Sequence, residues 1–349
     1  VLFRSRRFRR VKTLSDTVAL GKFIPGAPNV KVRGAPVEGA ASVDGRFMYV
    51  SQYSMEGPGF RNPGFDTCTP SDRIDDSYVY KIDTEKLKVV DLIRVGRVPK
   101  NLATSPDGRW LLVANWCSWD VTVVDLRKWK VVASIPVGAD PRGIAFSPDS
   151  RRAWIGVVAD DTLSVIDLKK LAVVKEYPTM DAPRHLVMGK NGRYLYVVIE
   201  GAESEKKVDG YVLKVDTRDG SVVDKVGGMI EPRTMVAAPD GRSLYVADFY
   251  DNAVIKLAAD DLHVIQKVPG LLHAIGIAYD TKTRQVWVAG YLGNVWVLED
   301  LRRGEKTSKQ LAKQKAREQR AAEGGGKGKK GKDRGTGGRN GGHGRGRGG

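Results

Sequence analysis

Short runs of alternating apolar and polar residues recur along most of this chain, and they recur with a period. Pro99, Pro141 and Pro183 stand 42 residues apart, Pro232 follows after a longer interval that holds a polar loop, and Ala274 takes the same place 42 residues further on. In the unit that opens at Pro141, the runs Arg142 to Ser147, Arg152 to Val158, Thr162 to Leu168 and Val173 to Tyr177 are rich in Val, Ile and aromatic residues and alternate in polarity. That alternation predicts four strands and leaves no room for a helix. Asp44-Gly45, Asp107-Gly108, Asn191-Gly192 and Asp240-Gly241 fall between the first and second runs of their units. An Asp or Asn that bonds its own backbone, followed by a Gly free to take positive φ, predicts a tight hairpin there.

A period near forty with four short strands per unit predicts an all-β fold, a β-propeller whose blades stack around an axis because none can bury both faces alone. Six units begin near Pro36, Pro99, Pro141, Pro183, Pro232 and Ala274. The last stops after its third strand, and Thr17 to Val32 reads as an orphan fourth strand. The expectation is a seven-bladed propeller with most of one blade missing from this fragment, with a closed six-bladed ring as the alternative. Val1-Leu2-Phe3-Arg4-Ser5 back-translates to the end of a sequencing adapter, so residues 1–16 are read as a basic remnant, 17–303 as the propeller and 304–349 as a basic Gly/Lys/Arg-rich tail.

Charge changes the picture only at the ends. The net +17 divides into +5 on residues 1–10 and +12 on residues 302–349, which leaves the propeller body neutral. Glu305 to Glu323 predicts a solvated helix, and Gly324 to Gly349 has too few apolar residues to offset the entropy of ordering. Such a tail is a candidate for polyanion or nucleic-acid contact. No apolar run is long enough to be a membrane span.

The second strands read Tyr49-Val50-Ser51-Gln52, Leu112-Val113-Ala114-Asn115, Tyr196-Val197-Val198-Ile199 and Tyr245-Val246-Ala247-Asp248. With Ser-Pro-Asp-Gly-Arg before such strands and third strands such as Val121-Thr122-Val123-Val124-Asp125, the chain from Pro36 to Asp300 resembles the YVTN-repeat propellers of the YncE-like family. The resemblance implies a bacterial propeller, usually exported or at the cell surface, without settled chemistry. Periplasmic, secreted or cell-surface localisation is expected accordingly.

Lys100, Arg142, Arg184 and Arg233 each follow a blade-opening residue directly, so the symmetry of the fold predicts a cationic ring at the channel mouth. His185 and His273 lie at the starts of innermost strands and join that candidate ligand site. Asp140, Asp181 and Glu231 precede the three arginines by two or three residues and are the local candidates to neutralise them. Cys68 and Cys117, the only cysteines, lie in second-to-third connections of consecutive blades on one face, which predicts a disulfide and an oxidising compartment. The insertion from Ser54 to Asp76 brings Met55, Phe60 and Phe65 to the same face as a contact surface. No Cys-x-x-Cys-His site or Ser-His-Asp spacing is present, so no cofactor, metal or catalytic residue is assigned. The leading expectation is a non-enzymatic binding or scaffold propeller for an anionic small molecule or a protein partner. A lactonase-like hydrolase using the same mouth and a polyanion binder acting through the tail are the alternatives.

Overall fold

The computed structural model describes residues 12–201, 209–301 and 305–324. Residues up to Leu298 form one compact unit, and the chain from Glu299 forms a second. In the first unit, six antiparallel sheets follow one another as blades of a β-propeller. The first blade is β2 (Lys31–Ala41), β3 (Phe47–Glu56), β4 (Tyr78–Asp83) and β5 (Lys88–Arg94), with β1 (Thr17–Ala19) added beside β2. The second is β6 (Pro99–Thr104), β7 (Trp110–Asn115), β8 (Asp120–Asp125) and β9 (Lys130–Pro136); the third is β10 (Pro141–Phe146), β11 (Arg152–Val157), β12 (Thr162–Asp167) and β13 (Ala172–Pro178). The fourth is β14 (Pro183–Met188), β15 (Tyr194–Ile199), β16 (Asp209–Asp216) and β17 (Val222–Ile230); the fifth is β18 (Pro232–Ala237), β19 (Ser243–Asp248), β20 (Ala253–Ala258) and β21 (Val264–Pro269). The last has three strands, β22 (Ala274–Asp280), β23 (Gln285–Gly290) and β24 (Val295–Glu299).

The inner β-strands of the middle blades feed two cores. On β7, Leu112 and Ala114 pack with Ile144, Phe146 and Ile155 of the third blade, while Leu111 and Val113 face Tyr49 and Val79 of the first. All four of these β7 side chains are buried. Period-two alternation therefore gives apolar residues on both faces, as stacking between neighbours requires. Truncating a fully buried leucine such as Leu111 in so close-packed a layer costs about 2–5 kcal/mol.

The first-to-second turns follow the predicted chemistry. Ser42 Oγ donates to Asp44, Asp44 Oδ1 accepts the Arg46 amide at 3.0 Å, and Gly45 sits at φ +71°. Gly108, Gly192 and Gly241 repeat this at +69°, +73° and +75°. In the third blade Ser150 takes the left-handed position at +57°, a mild strain that a hydrogen bond from the Asp107 amide to its Oγ accompanies. A second recurring turn joins the third and fourth strands: Asp83, Asp125 and Asp167 each accept two backbone amides just downstream.

Thr17 to Val32 corrects the orphan-strand reading. β1 pairs antiparallel with the start of β2, Val18 opposite Val32, instead of completing the last blade. The reason is burial: Val18, Leu20 and Val32 pack on Tyr78, Tyr80 and Leu92, the first blade's face away from the second, with Phe23 and Ile24 beside them. The segment is a cover for that face, and the Tyr80 hydroxyl donates to the Asp16 carbonyl at 3.0 Å to fix it. Expected strand limits elsewhere agree within about a residue, as in Arg152–Val157.

In the second unit, α1 (Ser308–Gly324) occupies the predicted solvated helix. Thr307 and Gln310 close a capping box, the Gln310 amide donating to Thr307 Oγ1 at 3.1 Å and the Thr307 amide to Gln310 Oε1 at 2.8 Å. Residues 1–11 of the basic remnant expected over 1–16, and residues 325–349 of the tail expected to be disordered from Gly324, lie outside the described residues.

Candidate functional site

A bulge aims each residue of the predicted ring. In the third blade Pro141 pairs with Val157, but the next paired residues are Ile144 and Ile155, so Arg142 and Gly143 slip the register. The same irregularity follows Pro99, Pro183, Pro232 and Ala274. A bulge bends the strand and redirects the side chain next to it. Just beyond each second strand, one more backbone bond recurs: the amides of Trp116, Val158, Glu200, Phe249 and Tyr291 donate to the carbonyls of Val98, Asp140, Ala182, Glu231 and His273 at 2.9–3.2 Å. From the second blade to the sixth, this sets the residue after the opening position level with the residue sixteen further on.

That pairing decides what each cation meets. Lys100 Nζ sits 3.7 Å from the centre of the Trp116 ring and 2.8 Å from Asp66 Oδ1, which also accepts the Tyr53 hydroxyl. Arg184 pairs with Glu200. Arg233 lies over the Phe249 ring at 4.5 Å, pairs with Glu231, and has its Nε 3.6 Å from Glu200 Oε1. Arg142 has only Val158 at the matching place. It reaches instead to Glu38 of the first blade, 3.2 Å away, whose other oxygen accepts Asn101 Nδ2 at 2.6 Å.

Burial and mutual repulsion leave their mark on titration. Burial, with Arg142 adding to it, pushes Lys100 down to about 8. Arg142 falls to about 10 through burial and then the Arg184 charge, and stays protonated at neutral pH. Burial holds His185 near 4, so its imidazole is neutral, and raises Asp140 to about 6 against the pull of Lys100.

Of the expected local carboxylates only Glu231 pairs with its arginine. Among the described residues Arg142 and Arg184 use Glu38 and Glu200, while Asp181 accepts the Tyr211 hydroxyl at 3.3 Å. His185 belongs to the ring, whereas His273 stacks on Phe249 at 4.7 Å between 15° planes, within an aromatic group that also holds Tyr250 and Tyr291. Glu38, Asp66, Glu200 and Phe249 escaped the sequence reading. The sixteen-residue offset was the signal for two of them, whereas Glu38 and Asp66 come from other blades.

Cys68 and Cys117 form the expected disulfide, with Cα atoms 5.3 Å apart. It pins the long insertion onto the second blade, where Ile74, Val98 and Trp116 pack around it and Trp116 Nε1 donates to the Asp66 carbonyl. The insertion's expected contact residues divide: Met55 is core, Phe60 packs edge-on against Tyr78, and Phe65 remains about half exposed.

Three buried donors or ring nitrogens of the mouth, Arg184 Nε, His185 Nδ1 and Arg233 Nε, have no hydrogen-bond partner among the described residues. Elsewhere, Asp260, Asp261 and His263 bring ligating atoms within 4.8 Å of one another, but they are exposed at the β20–β21 turn and take no part in this ring. No helix of the described residues is long and apolar enough to cross a membrane.

No family model matches this chain, and no curated protein does. Among solved structures, a chain of hydrazine synthase from Kuenenia stuttgartiensis aligns at 18% identity and a TM-score of 0.55, over 79% of this chain and 99% of that one. A chain of a mitotic checkpoint complex aligns at 13% identity and 0.61, over 78% of each. At such identities the likeness is one of fold, the β-propeller that the six blades of the described residues form.

Proposed function

We propose that this propeller is a non-enzymatic binding module that holds an anionic ligand at its channel mouth. The observation that carries this reading is that the buried Nε atoms of Arg184 and Arg233, two guanidinium groups that share one carboxylate, Glu200, donate no hydrogen bond to any described residue. A buried donor without a partner costs about 1–3 kcal/mol, which a carboxylate or phosphate oxygen arriving there recovers. The planar guanidinium also suits such an oxygen better than a point charge does. The likeness to a chain within a protein complex supports a binding or scaffold role. The Tyr-Val-Ala-Asp type strands support placing the chain near the YncE-like YVTN propellers, and the disulfide is compatible with an oxidising, extracytoplasmic compartment.

Calorimetric titration of citrate and of inorganic phosphate, at low ionic strength, tests the site. Binding of either anion that weakens about tenfold or more in Arg184→Gln is expected, the loss of a charge-assisted hydrogen bond. If neither anion binds the unmodified protein, the small-anion reading fails.

A further inference from the structure

The channel mouth continues into an exposed aromatic and aliphatic rim on the last two blades. Tyr250, Leu272, Tyr291 and Leu292 are exposed by 53%, 49%, 69% and 64%. All four lie in connections that open on the mouth: Tyr250 and Tyr291-Leu292 after second strands, Leu272 before a first strand. Beneath them sits Phe249, only 7% exposed, with the Tyr250 and Tyr291 rings nearly perpendicular to it at centroid distances of 4.9 and 6.0 Å. Arg233 covers another side of the same Phe249 ring. A large apolar group of side chains therefore borders, through one shared residue, a guanidinium whose Nε lacks a hydrogen-bond partner among the described residues.

A small anion would use the guanidinium and leave the four rim side chains in water. A protein segment would use both. Exposed tyrosine and leucine around a buried arginine is the composition of an interface centre, where a few aromatic and arginine anchors hold most of the affinity. Resting on the mouth reading above, we infer that the natural ligand is a peptide segment of a partner protein, with an acidic residue seated on Arg233 and adjacent large apolar side chains packed on Tyr250, Leu272, Tyr291 and Leu292. The open Nε donor of Arg233 selects a strong acceptor oxygen, and the rim selects its apolar neighbours.

Panning a random short-peptide display library on the full chain tests this, with enriched peptides then synthesised and measured by fluorescence anisotropy. Enriched sequences are expected to join Asp or Glu to neighbouring Leu, Phe, Tyr or Met. Their affinity should fall about tenfold or more when the acid is replaced by its amide, and again in a Tyr291→Ala/Leu292→Ala variant, while that variant binds citrate unchanged. Both substituted side chains are exposed, and circular dichroism of the variant checks its fold. Citrate binding without peptide enrichment, or enriched peptides indifferent to the rim variant, overturns the inference and leaves the anion site standing. If neither citrate nor any peptide binds, both readings fall together.

Discussion

Lys100 and Arg233 occupy the same place in their blades, yet one end of the ring is shut and the other open. Around Lys100 the insertion after β3 brings Asp66 over the amine, Trp116 lies beneath it, and the Cys68–Cys117 bridge ties the two together. The Lys100 side chain is 8% exposed and has its partner. Around Arg233, among the described residues, Phe249 replaces the tryptophan, and the flanking Tyr250 and Tyr291 stand in solvent. One scaffold position thus serves as a structural clamp tied to an inserted loop in the second blade, and in the fifth as an arginine paired with Glu231 beside an exposed aromatic rim. A repeat guarantees where a side chain points. What that side chain does depends on the loops around it, which do not repeat.

The largest expected effect lies at the closed end. The bridge spans 49 residues, and in the chain-entropy account a loop of that size adds about 4 kcal/mol, with about 2–4 kcal/mol typical. Cys68→Ala/Cys117→Ala should lower the free energy of chemical denaturation by that amount and loosen the contact between Asp66 and Lys100. An unchanged denaturation midpoint would mean that packing of Ile74, Val98 and Trp116 alone holds the insertion.

Next comes the carboxylate that both open-end arginines share. Glu200→Gln removes the anion beside Arg184 and Arg233 with little change in shape. Breaking a buried ion pair costs about 3–5 kcal/mol, and the partial exposure of Glu200, 17%, places this variant near about 3 kcal/mol or below. Citrate should restore melting temperature in the variant more than in the unmodified protein. Equal shifts in both would show that added anions do not reach these arginines.

Lys100 gives the comparison a pH dependence. Its folded value of about 8 lies below the 10.5 of an unperturbed lysine, so between those values the unfolded chain holds the proton and the folded chain releases it. Stability contributed by this residue therefore rises as pH climbs from 8 toward 10.5, by at most about 1 kcal/mol per pH unit. Lys100→Met should flatten that part of the profile. A slope that persists in Lys100→Met would assign the titration to another group.

How much of this was legible in the sequence follows from what repeats. The Pro99, Pro141 and Pro183 period, the Asp-Gly turns and the placement of Cys68 and Cys117 all express a local rule or a symmetry, and each appears where the pattern put it. Lys100, Arg142, Arg184 and Arg233, equivalent by that symmetry, stand close enough for their charges to act on one another. Their partners were less legible because neutralisation is a matter of reach. Arg142 crosses to Glu38 on the first blade because Val158 gives it nothing nearer, and Lys100 meets Asp66 from a loop outside the repeat. Thr17 to Val32 misled for a related reason. Its apolar residues matched a fourth strand, but Tyr78 and Tyr80 offered a nearer face to cover.

The smallest expected effect is the sharpest test of openness. Tyr291 is 69% exposed and packs edge-on to Phe249, whereas Trp116, in the matching place on the second blade, is 8% exposed between Lys100 and the disulfide. Trp116→Ala should cost about 3–5 kcal/mol, the range for deleting a buried aromatic side chain, while Tyr291→Ala should stay within about 0.5 kcal/mol, as exposed substitutions do. Urea denaturation of the two variants side by side measures the difference. If Tyr291→Ala destabilised the fold as much as Trp116→Ala, the rim would be part of the propeller's own packing, and the fifth and sixth blades would be as closed as the second.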